Sequence, residues 1–137
     1  MSRGSDEASV RGWIARARRE VDATRHLGGS GFGEQAVSRS YYAAFYAATA
    51  ALEALGERRG SHAGVISAFN RRVVREGSLP RDVAMLLRVL FDKRNAMDYE
   101  AAPGSSADAE AAIEQADRFV DAVEEWLSSP SGGPDVD

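Results

Sequence analysis

The sequence predicts an all-α protein, an up-and-down helical bundle of about five helices. Three observations carry that expectation. Apolar residues recur at three- and four-residue spacing in five successive segments. No segment shows sustained period-two alternation, and runs of β-branched residues are absent. Short glycine- or proline-containing stretches separate the segments, as in a bundle with brief connections. With 137 residues the chain has room for one core.

Met1 to Gly4 is expected to fray. Ser5, Asp6 and Glu7 make a helix start, because negative charge suits the positive end of the helix dipole. The first helix runs to about His26 on a stripe of Val10, Ile14 (or Trp13), Ala17, Val21 and Thr24. Its other face carries arginines, expected to be solvated. Gly28, Gly29, Gly31 and Gly33 stop it.

The second helix spans about Glu34 to Leu55. Twelve residues between Ala36 and Ala54 are alanine, tyrosine or phenylalanine, so it is apolar nearly all round and is expected at the centre. That same character predicts a homodimer, with Tyr41, Tyr42, Phe45 and Tyr46 as core and interface material. Gly56 ends this helix. Ser61 caps a third, His62 to Glu76, whose inner stripe is Val65, Ile66, Phe69 and Val73. Gly77 stops it, and Pro80 opens a fourth that runs to about Tyr99. Ala101 to Ser106 must be a loop, since it holds Pro103 and Gly104. A fifth helix follows to Leu127, with Ala109, Ala112, Ile113, Ala116, Phe119, Val120 and Val123 inward. Residues 1–127 thus form a single domain, and the Ser, Gly, Pro and Asp tail of 128–137 is expected to be disordered.

Composition narrows the function classes. The chain is 44% hydrophobic and 28% charged, ordinary for a globular protein. It has no cysteine, which removes disulfides, thiolate zinc sites and cysteine nucleophiles. No apolar run approaches the roughly 20 residues that span a bilayer, and the polar N-terminus lacks a signal-peptide core. A cytoplasmic protein away from membranes is expected. A net charge of −4 argues against nucleic-acid binding by the whole surface but leaves room for a local basic site. The two histidines are far apart and no carboxylates cluster on an inner face, so no metal is expected. There is no P-loop or dinucleotide fingerprint, so no cofactor is expected either.

The most informative stretch closes the fourth helix: Phe-Asp-Lys-Arg-Asn-Ala-Met-Asp-Tyr-Glu, residues 91–100. An oily stripe of Val83, Leu86, Leu87, Leu90 and Phe91 runs into Arg94, Asn95, Asp98 and Tyr99. Arg94 and Asp98 are four apart and can pair on the helix. The alternative is that Arg94 grips a phosphate, for which its planar fork is suited. Ser61 and His62, at a helix N-terminus, offer a second place for an anion. Their plainer reading is a cap and a partly exposed first-turn residue. His26, ending the first helix, suits the dipole and no more.

The order of signals resembles a known family. Ser38-Arg39-Ser40-Tyr41-Tyr42-Ala43-Ala44-Phe45-Tyr46 lies on the central helix. Ser61-His62-Ala63-Gly64-Val65-Ile66 opens the next, Arg94-Asn95-Ala96-Met97-Asp98-Tyr99 closes the fourth, and Ala116-Asp117-Arg118-Phe119-Val120 lies in the last. The set resembles the HEPN domain family, in particular its small stand-alone bacterial and archaeal members, over about Ala8 to Leu127. The resemblance implies a dimeric helical bundle. It also implies a small nucleotidyltransferase partner in a toxin–antitoxin-type two-gene system. Many members are metal-independent ribonucleases with an arginine, a polar residue and then a histidine, two such clusters meeting in one cleft. Arg94 and Asn95 match the start of that signature, while Asp98 and Tyr99 stand where the histidine falls. Two functions follow. One is a dimeric module that engages RNA, a nucleotide or its partner through an Arg94-centred cleft. The other is a ribonuclease toxin in which Arg94, Asn95 and Asp98 carry the reaction, with His62 as a candidate helper. Tyr99 is a candidate acceptor for nucleotide transfer by the partner, as related members carry a modified tyrosine just after their signature.

Overall fold

The computed structural model describes residues 3–75, 77, 79–100 and 106–128. The elements are α1 (Arg3–Gly29), α2 (Gly33–Ala54), α3 (His62–Phe69) continued by a π-helical segment (Asn70–Arg75), α4 (Arg81–Glu100) and α5 (Ser106–Ser128). No strand occurs among the described residues. The predicted all-α bundle is what forms. None of the described helices is long and apolar enough to cross a membrane. The expected loop at 101–105 and all but the first residue of the expected tail lie outside the described residues.

The helix ends follow from local chemistry. At the end of α2, Gly56 adopts φ +79°, which side-chain-bearing residues rarely take. Its N–H donates to the Glu53 carbonyl at 3.0 Å, and the Glu57 N–H donates to the Leu52 carbonyl at 2.9 Å. These are the two bonds of a Schellman close, which satisfies otherwise orphaned carbonyls. Gly31 (φ +85°) ends α1 similarly, with the Phe32 N–H on the Leu27 carbonyl at 2.9 Å. Helix α1 therefore continues past His26 to Gly29, because helical glycines at 28 and 29 do not stop it and the left-handed turn at Gly31 does. Ser61 caps α3, accepting from the Gly64 N–H at 3.0 Å.

Helix α2 is the axis of the fold. It packs against α1, α3, α4 and α5. Twelve of its residues are buried, Ala36, Tyr41, Tyr46 and Leu52 among them. Its all-round apolar character is thus accounted for inside one chain and does not by itself require a second copy. Alanines at 43, 44, 47, 48, 50 and 51 are fully buried, which lets neighbouring backbones approach closely. Phe69 and Phe119, both fully buried, meet at 5.4 Å between ring centroids and join α3 to α5.

The arginines of α1 divide: Arg11, Arg16, Arg19 and Arg25 are exposed, as expected of a solvated face, and Arg18 is half-buried. Arg18 reaches Asp117, Asp121 and Glu124 of α5, and Arg25 reaches Asp117 at 2.8 Å. Arg71 and Arg72 converge with Arg59 on the Glu57 carboxylate. Burial pushes the Glu57 carboxyl up, but the three guanidiniums outweigh it and hold it below the usual carboxylate range. Helical periodicity marks these positions as outward. It does not show which carboxylates another helix brings to them.

Candidate functional site

Helix α4 aims Arg94 inward. Val83, Leu87 and Leu90 are buried, and the same spacing of four, three and four places Arg94 next on that stripe. On α2, Tyr41, Tyr42 and Phe45 share one face at three- and four-residue spacing, and Tyr41 and Tyr42 with Phe91 of α4 form the bed on which Arg94 lies. The guanidinium carbon is 4.7 Å from the Tyr41 ring centroid and 5.7 Å from those of Tyr42 and Phe91. Such cation–π contacts hold the charge without neutralising it.

The polar contacts of Arg94 are few. Nη1 donates to the Tyr42 hydroxyl and Nη2 to Asn95 Oδ1, each at 3.3 Å, the long end of the hydrogen-bond range. Nε is enclosed and has no partner. Asp98 makes no ion pair with it, so the expected i,i+4 pair is not formed; Arg88 and Asp92, one turn earlier, do form one at 3.1 Å. The reason lies in the last turn of α4, where Ala96, Asp98 and Tyr99 are exposed. Five described arginines are half-buried: Arg18, Arg39, Arg71, Arg72 and Arg94. The first four each meet a carboxylate, and Arg94 alone among them does not.

His62 joins this cluster from α3. Its Nδ1 is 2.7 Å from the Tyr41 hydroxyl, and its ring stacks on Phe45 at 4.3 Å and 14°. Burial, and to a lesser extent the Arg94 charge, push the His62 imidazole below its ordinary value. Burial pushes the Tyr41 phenol up, and the nearby Arg94 offsets only part of that. Tyr41 therefore keeps its proton, and in the tautomer where it donates to Nδ1 the neutral His62 carries its own proton on Nε2. That atom has no protein partner and is not among the enclosed unpartnered nitrogens.

The residues singled out in the sequence divide into two groups. Arg94, Asn95 and His62 come together. Asp98 and Tyr99 (90% exposed) face outward, and Ser61 is occupied as a helix cap. His26 is exposed in the last turn of α1. Sequence reasoning missed that Tyr41 links His62 to Arg94. The available signal was the i, i+1, i+4 aromatic face at 41, 42 and 45, which reads equally well as core.

The cluster is cationic, rich in unused N–H donors and walled by aromatic rings, an arrangement suited to a phosphate or another oxyanion. Comparison with known proteins agrees with the bundle that frames it. Residues 10–126 match the family model for the HEPN domain. A UPF0332 protein of Thermotoga maritima is 32% identical over 122 residues, covering 88% of this chain and 92% of the relative. A UPF0332 protein of Gloeobacter violaceus is 36% identical over 119 residues, or 82% and 91% of the two chains. A Methanocaldococcus jannaschii protein named "Putative toxin" is 29% identical over 118 residues, or 86% and 88%. A family match that spans α1 to α5, together with relatives alike over nearly their whole length, shows that the chain belongs to the HEPN domain family.

Proposed function

We propose that this protein is the HEPN member of a toxin–antitoxin-type two-gene system. In this reading it works as a homodimer that holds an RNA or nucleotide phosphate at Arg94, with a small nucleotidyltransferase as its protein partner. The observation that carries the reading is the half-buried Arg94 guanidinium without a carboxylate. Orphaned donors cost stability wherever they are enclosed, and such groups concentrate where a ligand completes them. The toxin name of the archaeal relatives supports the biological setting, and the nucleotidyltransferase partner is what the family resemblance implies.

Dimerisation has support on α4. Met85 (57% exposed) and Tyr99 (90% exposed) are two of the three exposed large hydrophobics among the described residues. With Val89 and Ala96 they lie along one outer side of α4 at spacings of four, seven and three, with the charged Asp92 in the gap.

A second reading, a metal-independent ribonuclease, is favoured by His62. The signature histidine is missing after Arg94 and Asn95, yet the fold brings an imidazole to the same cluster from α3. Metal-free incubation with structured and unstructured RNA separates the readings. Cleavage that disappears in both Arg94→Ala and His62→Gln supports the ribonuclease. No cleavage at any pH supports a binding module. Growth arrest on expression, relieved by the neighbouring gene, supports the toxin setting, and unaffected growth with or without that gene argues against it.

A further inference from the structure

His62 also lines a second concavity, away from the Arg94 donors. It is a groove of about 350 Å³ between α1, α2 and the connection from α2 to α3. That volume lies at the lower end of the roughly 300–1,000 Å³ typical of small-ligand sites. Three aromatic side chains line it, Trp13, Phe45 and His62, of which the last two are already stacked together. Arg58 stands at its edge with a side chain 74% exposed, its nearest carboxylate, Glu53, being 3.7 Å away. Glu53 is fixed in the wall: it accepts from the Ser9 hydroxyl and from the Trp13 indole N–H at 2.7 Å, and its side chain is only 10% exposed.

We infer that this groove is a nucleotide subsite, in which a base lies against the Trp13, Phe45 and His62 rings and its phosphate is met by Arg58. The chemistry of the walls selects this ligand class. Flat π surfaces stack bases without regard to sequence, and a loosely held guanidinium at the edge meets the phosphate. The Glu53 carboxylate retains acceptor capacity for a base amino group, since two donors do not exhaust its lone pairs. The groove borders the Arg94 cluster at His62, which lines the groove and bonds to Tyr41 of the cluster. A single strand held by a phosphate at Arg94 can therefore lay a neighbouring base in the groove. In that form the inference rests on the Arg94 reading; a free nucleotide in the groove does not need it.

The test uses the two tryptophans. Trp126 is 5% exposed and its Nε1 is enclosed without a partner, so Trp126→Phe forfeits no hydrogen bond and leaves Trp13 as the sole indole reporter. Three probes are titrated into this variant: adenosine 5′-monophosphate, hexaadenylate and ribose 5-phosphate. The first two are expected to change Trp13 emission and the base-free sugar phosphate is not. Arg58→Ala, at an exposed position, and Phe45→Leu are each expected to weaken binding about tenfold, the order of one lost stacking or cationic contact. Trp13 emission unmoved by both adenylates, with Arg58→Ala and Phe45→Leu binding as tightly as the parent, overturns the subsite. If hexaadenylate nevertheless binds and Arg94→Ala abolishes it, the Arg94 reading stands alone. If the monophosphate moves Trp13 while hexaadenylate does not bind, the subsite holds free nucleotides and the Arg94 reading fails.

Discussion

The Tyr41 hydroxyl lies 2.7 Å from Nδ1 of His62, and this bond joins the central helix to the start of α3 beneath the Arg94 guanidinium. With the Tyr41 hydroxyl as donor, the neutral imidazole carries its proton on Nε2. Tyr41→Phe removes the donor while leaving the ring that Arg94 lies over. The expected cost is about 1 kcal/mol of stability, the worth of one buried hydrogen bond. The sharper readout is the histidine itself. Without a donor on Nδ1 the neutral form loses support, so nuclear magnetic resonance should show the His62 titration moving up in the variant. A midpoint unchanged from the parent contradicts the assigned donor.

Stability should fall as pH drops below neutrality, in two separate windows. His62 has a folded value below its ordinary 6.5. Below 6.5 the unfolded chain takes up a proton that the folded chain refuses, so folding stability is lost as pH falls from there toward the folded value. Glu57 acts lower, since its carboxyl is held beneath the ordinary 4.5 and contributes stability that is present above that pH and lost under it. Denaturant unfolding of the parent and of His62→Gln between pH 7.5 and 5 on the order of half-unit steps should show a smaller slope in the variant. Parallel slopes would remove His62 as the source of the upper window.

The α4 stripe gives a prediction about assembly. Met85→Glu places a charge at the first position of the proposed seam, 57% exposed, where the folded monomer tolerates it. Light scattering at micromolar concentration is expected to report a dimer for the parent and a monomer for the variant, with the helical circular dichroism signal retained. A parent that is monomeric at that concentration contradicts pairing through α4.

Much of the fold was legible in the residues. The three- and four-residue spacing in Val83, Leu87 and Leu90, or in Ala112, Ala116, Phe119 and Val123, is a property of single helices and survives into the structure. Helix ends marked by glycine were found to within a few residues, and the error at α1 came from treating any glycine as a stop when only Gly31 takes the left-handed conformation. The site was legible only in part. Arg94 and Asn95 are adjacent in sequence and stand in a recognisable signature. His62 lies 32 positions before Arg94 and reaches it only through Tyr41, so three helices must pack before the cluster exists. Asp98 shares a helix face with Arg94 on paper, yet it falls on the exposed last turn. The dimer was inferred from an apolar helix that the bundle buries by itself, and the stripe on α4 is the better reason.

The central claim is that the unpaired Arg94 guanidinium holds a phosphate. Arg94→Met tests it cleanly, because a thioether sits well against aromatic rings and removes an enclosed donor that has no partner, so the fold should lose less than about 1 kcal/mol. The decisive measurement is the affinity of the parent and of this variant for a short single-stranded RNA across a series of salt concentrations. The account predicts salt-sensitive binding by the parent, and weaker binding by the variant with a salt dependence shallower by about one contact per site. Equal affinity and equal salt dependence in the two proteins would contradict it.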